Sequence, residues 1–498
     1  MDEIKKSLTR RNFLKGLTVV SGAAAFSTLG VKVVEALPPP KKWHYQTDVL
    51  VVGGGGAGLT AAIWAKQSGA KVICLEKTAT PMSSTTAVSA GGFAAAGTSS
   101  QKKQKVEDTF DLLYKDIMTF TGGEADETIT KAYAKMSLDA YEWLMKLGVN
   151  LVFLQQVEGH SVAREHWLNA SQMMQLLEKE AKKDGVDLMT NTAVKNLFVD
   201  PKGRVVGALA KGTKGDINVK ARRAVVLACG GFTANLPLCG EFGGPEFRKV
   251  APLGGPGNTG EGLLIALGLG AATKNMYGAV VSENLAIASA AKITLPQVVW
   301  DGGILVNKNG KRFMRESRAC FEMGAETLQQ PESASFIIWD SKMKKSPLTV
   351  RKLEREAKLG GPPAEAGSLA ALAEKLKIDP KQMQETITRY NGYVEKGVDP
   401  EFSRTTMSGT EGKPIKIDTP PFYGIKVFAM SYFTKGGLHT DERCRVINWD
   451  KKVIPGLYAA GEIMLGNISS RLLCMGTGVG GAITFGYIAG KNAAEEKT

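Results

Sequence analysis

Histidine and paired cysteine are what this 498-residue chain most lacks. Only four histidines occur, His44, His160, His166 and His439, so a histidine-built metal centre is not expected and no metal is assigned. The six cysteines, Cys74, Cys229, Cys239, Cys320, Cys444 and Cys474, form no Cys-x-x-Cys pair. That excludes a c-type haem site, an iron–sulfur cluster or a zinc ribbon built from this chain. No disulfide framework is evident either, which is tolerable in a chain long enough for large cores. The net charge is +14, yet no basic block interleaves with aromatics, so nucleic acid is not an expected partner. A dispersed positive surface instead suits steering of an anionic substrate or an acidic redox partner. Long apolar runs are missing too. The mildest candidate, Gly16 to Val34, is broken by Gly, Ser, Thr and Lys, so an integral membrane protein is not expected.

Glycine, at 57 residues, is abundant, and its densest run carries the most information. The run Gly53-Gly54-Gly55-Gly56-Ala57-Gly58 follows the apolar stretch Asp48 to Val52 and precedes a helical pattern from Leu59 to Gln67. A second apolar stretch, Lys71 to Leu75, ends at Glu76. Strand, glycine turn, helix, strand and acid within about thirty residues is a dinucleotide-binding arrangement. Gly53 permits the tight turn, Gly55 lets backbone approach a pyrophosphate, and Gly58 lets helix and strand pack closely. Glu76 is placed to accept from a ribose hydroxyl, and the helix N-terminus offers free N–H groups and positive dipole to phosphate.

The N-terminus reads as an address. Arg10-Arg11-Asn12-Phe13-Leu14-Lys15 precedes the soft apolar stretch, and Val34-Glu35-Ala36 presents small residues before Pro38-Pro39-Pro40. Paired arginines followed by Phe-Leu-Lys resemble a twin-arginine export signal over residues 1–36, which implies a periplasmic mature protein. Those residues hold six Lys/Arg and three Asp/Glu, so their removal would lower the charge from +14 to +11.

Beyond the opening unit, Thr78 to Gly97 reads as an ordered loop. Helical patterns cover Val106 to Phe120, Asp126 to Leu147 and Ala170 to Lys183, and alternating runs at Val186 to Val199 and Val205 to Val219 flank a turn at Asp200-Pro201-Lys202-Gly203. Ala224 to Ala228 is a buried-type strand, Thr259 to Ala271 a helix, and Gly478 to Ala494 the closing helix. From about Asn275 to Tyr432 the character changes. A strand-like Gly303 to Val306 and polar helices near 365–376 and 380–396 suggest an inserted domain.

These pieces together resemble the flavoprotein family of succinate dehydrogenase and fumarate reductase, which includes L-aspartate oxidase and 3-ketosteroid dehydrogenase. The resemblance covers most of 47–495. It rests on the glycine turn with Glu76, Ser83 to Gly92, Ala228 to Phe232, Thr259-Gly260-Glu261-Gly262, Asn307 to Phe313, Ile454 to Glu462 and Thr484 to Gly490. It implies an α/β fold: a Rossmann-like FAD-binding domain (44–275 and 434–498) with an inserted α+β capping domain (276–433). It also implies FAD held by Gly53, Gly55, Ala57, Gly58, Glu76, Ser84, Thr85, Gly91, Gly92, Val194, Glu261, Glu462, Gly478 and Val479. Quinone-linked members carry a flavin-bearing histidine near Thr85; with threonine there, the flavin is expected to be non-covalent.

The resemblance fails at the substrate. The family's two substrate histidines fall near Glu283 and at Phe433, its proton-donating arginine near Cys320, its relay near Pro296 and Val299, and its carboxylate-binding arginine near Leu473. The pocket has lost cations, and Phe433, Leu472, Leu473, Cys474 and Met475 make it more apolar. The remaining candidates are Arg318, as acid or anion clamp, and Arg471, as carboxylate clamp. Beside them stand His160, Arg164 and His166, in a stretch from Glu158 that resembles a substrate-side loop of L-aspartate oxidase, with Tyr277 and Tyr432 weaker. The expected activity is reduction of an activated C=C bond, enoate-type and not fumarate, on a small unsaturated substrate. Electrons would come from a separate donor such as a c-type cytochrome. The alternatives are a dehydrogenase that introduces a C=C bond, as in the ketosteroid enzymes, and a flavin electron-transfer protein.

Overall fold

The computed structural model describes residues 34–157, 159–276, 283–286 (backbone only), 295–318, 320–359, 361–408, 412–470 and 472–497. Most of the expected export signal, together with Glu158, Tyr277 and Arg471, lies outside the described residues. The chain divides into two compact units, one comprising Met1–Arg248, Gly254–Val280 and Phe433–Thr498, the other Lys249–Leu253 and Val281–Tyr432.

The first unit is built on a sheet whose main path runs Arg445–Ile447, Val453–Ala459, Gly215–Leu227, Tyr45–Val52, Val72–Leu75, Asp187–Met189. The four central neighbours pair in parallel. Val49 lies opposite Val72 and Val51 opposite Cys74, while on the other side Val49 meets Ala224 and Val52 meets Leu227. Val49, Leu50, Val51 and Val72 to Leu75 are buried, as befits strands covered on both faces. The expected hairpin forms between Ala193–Val199 and Val205–Gly212. The next strand differs from expectation. Gly215–Leu227 is one continuous strand, pairing first with Val205–Gly212 and then with Tyr45–Val52. The chain turns at 213–214, and charged Arg222 and Arg223 do not interrupt the strand because the Arg222 guanidinium reaches out to Asp48 (2.9 Å).

Two helices lie together through small residues. Gly56–Gln67 and the closing helix Thr477–Glu495 approach so closely that a Cβ on Gly486 would stand 2.5 Å from the Ala57 carbonyl oxygen. One on Gly490 would stand 2.3 Å from that of Ala61. A three-stranded antiparallel sheet, Gly92–Ala94, Glu165–Leu168 and Leu151–Gln155, completes the site side of this unit. The stretch expected to be loop, Thr78 to Gly97, therefore contains a strand. Its short polar and small residues gave no alternation to read, and its partner strands lie more than fifty residues downstream.

The second unit centres on Ala334–Asp340, paired antiparallel to Phe422–Ser431 with Ser335 opposite Val427 and Ile337 opposite Ile425. One core gathers Leu295, Val298, Val299, Met323, Ile337, Trp339 and Val427, and another Ile338, Leu372, Met383, Ile387 and Tyr390. The expected polar helices are Leu369–Leu376 and Pro380–Lys396, capped by Ser368 and Asp379. Arg312 is buried in ion pairs with Glu316 (2.7 Å) and Asp399 (2.9 Å), which makes it a structural cation of this unit.

Candidate functional site

The glycine turn has the geometry its residue types require. Gly53 takes φ of +107°, a left-handed value that disfavours a side chain, and a Cβ there would stand 2.5 Å from the Ala228 carbonyl oxygen. A Cβ on Gly58 would overlap the Gly53 oxygen at 1.8 Å. No side chain caps the helix Gly56–Gln67, so its first-turn N–H groups are left for an anion. Glu76, at the end of the neighbouring strand, accepts from Gly54 N (2.6 Å) and from Thr78 N and Oγ1 (2.7 Å each).

A polar chain extends from this turn. The Thr85 hydroxyl oxygen accepts from Gly255 N (2.9 Å) and from Asn258 Nδ2 (2.8 Å), and the same amide donates to Glu462 Oε2 (2.9 Å). Glu462 Oε1 accepts from Thr434 N (2.8 Å) and Oγ1 (3.2 Å). Burial pushes the Glu462 carboxyl up to about 7, against the opposing donors Thr434, Asn258 and Gly231. Ser84 caps the short helix Thr85–Val88 by accepting from Ala87 N. Glu261 pairs with Lys77 (3.0 Å). Burial raises its pKa, but Thr259, its own N–H and Lys77 outweigh burial and leave it lowered. Val194 is buried two residues beyond Thr192, whose N–H donates to the Glu76 carbonyl (2.8 Å), and its cross-strand partner is Ala210. Lys77, Asn258 and Thr434 went unmarked in the sequence as site residues. Each sits one or two residues from a marked motif, and only the fold turns them inward.

The closing helix supplies a second uncapped N-terminus. Gly476, at φ of +78°, precedes it with no side-chain cap, and a Cβ there would strike Ala94 N at 2.6 Å. Gly478 and Val479 occupy its first turn. The residues present fit a dinucleotide-linked flavin on three counts: uncapped helix N-termini for negative charge, a carboxylate for a ribose diol, and glycines wherever a Cβ would fill the approach.

Arg164, His160 and His166 were expected as proton donors. The geometry gives them another task. Arg164 is fully buried; it holds Asp108 through both carboxylate oxygens (2.6 and 2.8 Å), and its Nη1 meets Asp116. Burial disfavours its charge, but the two aspartates more than compensate and its pKa is raised. His160 is held neutral, its pKa lowered to about 4 by burial and then by the Arg164 charge. Its Nε2 lies 2.8 Å from the Met475 carbonyl, which fixes that nitrogen as donor, and its Nδ1 lies 3.2 Å from Arg164 Nη1. His166, also lowered to about 4 by burial, meets the Phe93 carbonyl through Nδ1 (3.1 Å) and the Thr98 hydroxyl through Nε2 (2.8 Å). All four ring nitrogens are engaged by protein. These residues brace the Gly92–Ala94 strand and the Met475 turn from behind and are not free to protonate a guest.

Arg318 lies in the second unit. Its side chain is 42% exposed and paired with Glu322 at 3.2 Å, so it keeps solvent access. Pro296 and Val299, where the resemblance places a proton relay, are buried in that unit's core without an ionisable side chain. Tyr432 packs beside Leu253 and Met430.

Comparison with known proteins agrees with the cradle. Residues 48–479 match the family model described as FAD binding domain. The chain is 34% identical over 458 residues to a fumarate reductase (cytochrome) of Shewanella frigidimarina, covering 91% of this chain and 78% of that protein. It is 29% identical over 496 residues to an acrylate reductase flavoprotein subunit of Shewanella woodyi, covering 92% and 93%. The solved open conformation of a flavocytochrome c3 fumarate reductase matches with a TM-score of 0.78 at 29% identity, over 91% of this chain and 79% of that one.

Proposed function

Because the chain belongs to the FAD-binding flavoprotein family of the fumarate reductases, and is therefore an FAD-dependent oxidoreductase acting on CH–CH and C=C bonds, we propose that it reduces an activated C=C bond of an enoate other than fumarate. FAD supplies the hydride chemistry when bound. The chain's own residues do the rest. Gly53 to Gly58 admit the pyrophosphate to the helix N-terminus, Glu76 holds a ribose, and Gly91 and Gly92 leave the strand surface open. Gly478 and Val479 present N–H groups where negative charge gathers on reduction. Thr85, Asn258 and Glu462 form a fixed polar edge; with threonine at position 85 the cofactor is held without a covalent bond.

The observation that carries the substrate reading is the loss of cations. Phe433 stands at one histidine position and Leu473 beside the carboxylate-binding one, while Leu473, Cys474 and Met475 are buried. A second carboxylate would be buried there unpaired, which costs several kcal/mol, whereas a single carboxylate could be met by Arg471 or Arg318. The inserted stretch 276–433 acts as the cap, with 44–275 and 434–498 as the cofactor domain. The paired arginines at the N-terminus export the folded protein to the periplasm, where a c-type cytochrome delivers electrons; this chain has no haem attachment sequence of its own. Among the described residues no helix is long and apolar enough to cross a membrane.

The test is anaerobic photoreduction of the purified yellow protein followed by a panel of oxidants. Prompt reoxidation by acrylate-like or cinnamate-like compounds, with fumarate slow, is expected. Fastest reoxidation by fumarate, or bleaching of the oxidised protein by saturated substrates, would sink the proposal.

A further inference from the structure

One buried carboxyl is used neither by the cradle nor by the Arg164 cluster. Glu165 sits on the strand Glu165–Leu168, between Arg164 and His166, and is 2% exposed. Its Oε1 lies 2.3 Å from where a Cβ on Gly92 would stand, so glycine at that position is what makes room for it. Its Oε2 is buried with no hydrogen-bond partner in the protein. An unmet buried oxygen costs about 1–3 kcal/mol.

The ionisable groups around it do not hold it as a carboxylate. Tyr133, on the helix Glu127–Lys146, donates to the Ala94 carbonyl (2.7 Å). Cys474, from the turn before the closing helix, faces the Gly159 carbonyl (3.4 Å) and His160. Arg164, the neighbour on its own strand, is committed to Asp108 and Asp116. Burial alone raises the Glu165 pKa to about 8, so the group is neutral at pH 7.

We propose that Glu165 is a redox-linked proton site of the bound flavin: its unpartnered carboxyl takes a proton from solvent when two electrons enter the cofactor and releases it when they leave. This rests on the reading that the flavin ring lies along Gly91–Gly92 and the Gly476 turn. The cause is like-charge repulsion. Negative charge arriving beside a buried carboxylate raises that carboxylate's proton affinity. Below about pH 8 the acid is protonated in both redox states and contributes nothing. Above it, carboxylate plus one solvent proton gives carboxylic acid for each pair of electrons supplied by the reductant.

Dithionite titration of the full holoprotein between about pH 6 and pH 10 reads this directly. The expected result is a pH dependence of the flavin midpoint potential that steepens by one proton per two electrons above about pH 8. Glu165→Gln should abolish the break while keeping the yellow flavin. Wild-type infrared difference spectra provide a second reading that needs no variant. Near pH 9, reduction should create a protonated-carboxyl carbonyl band that shifts in heavy water. An unbroken wild-type profile, no such band, or a break that persists in Glu165→Gln would each overturn the proposal. A wild-type protein that cannot be made yellow would instead remove the FAD reading itself, so the two failures are distinguishable.

Discussion

Replacing Arg164 by methionine tests the bracing cluster most directly. The substitution keeps much of the side-chain length and removes the charge. Asp108, whose side chain is fully buried, loses both of its guanidinium contacts and keeps only the neutral donors Gln101 Nε2 (2.7 Å) and Thr109 N (2.9 Å), while Asp116 keeps Ser161 N (2.8 Å) and Oγ. Removing one partner of a buried ion pair costs about 3–5 kcal/mol because the other charge is left uncompensated. With an unfolding entropy near 2.1 cal/mol/K per residue, a loss of this size in a unit of some three hundred residues lowers the melting temperature by roughly 5 °C. The effect should persist in high salt, because the pair is buried. Adding Asp108→Asn to Arg164→Met should recover much of the loss. His160 then also loses the charge that orients it, so the Met475 turn loosens and flavin dissociates faster. Circular-dichroism melts at low and high salt, with flavin release followed by fluorescence, check both consequences. A single variant that melts within about 1 °C of wild type, or a double variant no better than the single, would refute the reasoning.

Two further outcomes follow from the cofactor and substrate edges. Gly58→Ala places a Cβ 1.8 Å from the Gly53 oxygen, so the turn must open and the purified protein should be nearly colourless; full flavin occupancy would contradict the cradle. Arg318→Ala and Arg471→Ala should each lower turnover on the preferred enoate by ~10²-fold or more if they clamp or protonate it; unchanged kinetics in both would remove the substrate assignment and leave the fold standing.

The dinucleotide turn was legible because its signals are local. Gly53, Gly58 and Glu76 lie within one strand–helix–strand stretch, and each residue type answers a backbone or hydrogen-bonding need that spacing reveals. Closing-helix packing through Gly486 and Gly490 was not read from the sequence, because the helix it meets lies far upstream. The roles of Arg164, His160 and His166 were misjudged for a physical reason. A buried arginine with two aspartates and a catalytic arginine look alike in one dimension, because Asp108 and Asp116 lie 56 and 48 residues upstream. Glu165 was not singled out, because nothing local marks a carboxyl as buried and unpartnered.

The sequence by itself determined a strand, glycine turn and helix of the dinucleotide-binding kind, because backbone conformation and helix polarity are properties of contiguous residues. The expectation that the substrate pocket lacks the family's usual cations came from the resemblance laid on the sequence. Only the tertiary structure decided which charged side chains are satisfied and which are not. It joined Asp108 and Asp116 to Arg164, turned both histidines inward, and buried Glu165 beside Gly92 with its Oε2 unpartnered in the protein. Desolvation and long-range pairing depend on what chain folding brings from far away, and no local pattern encodes that.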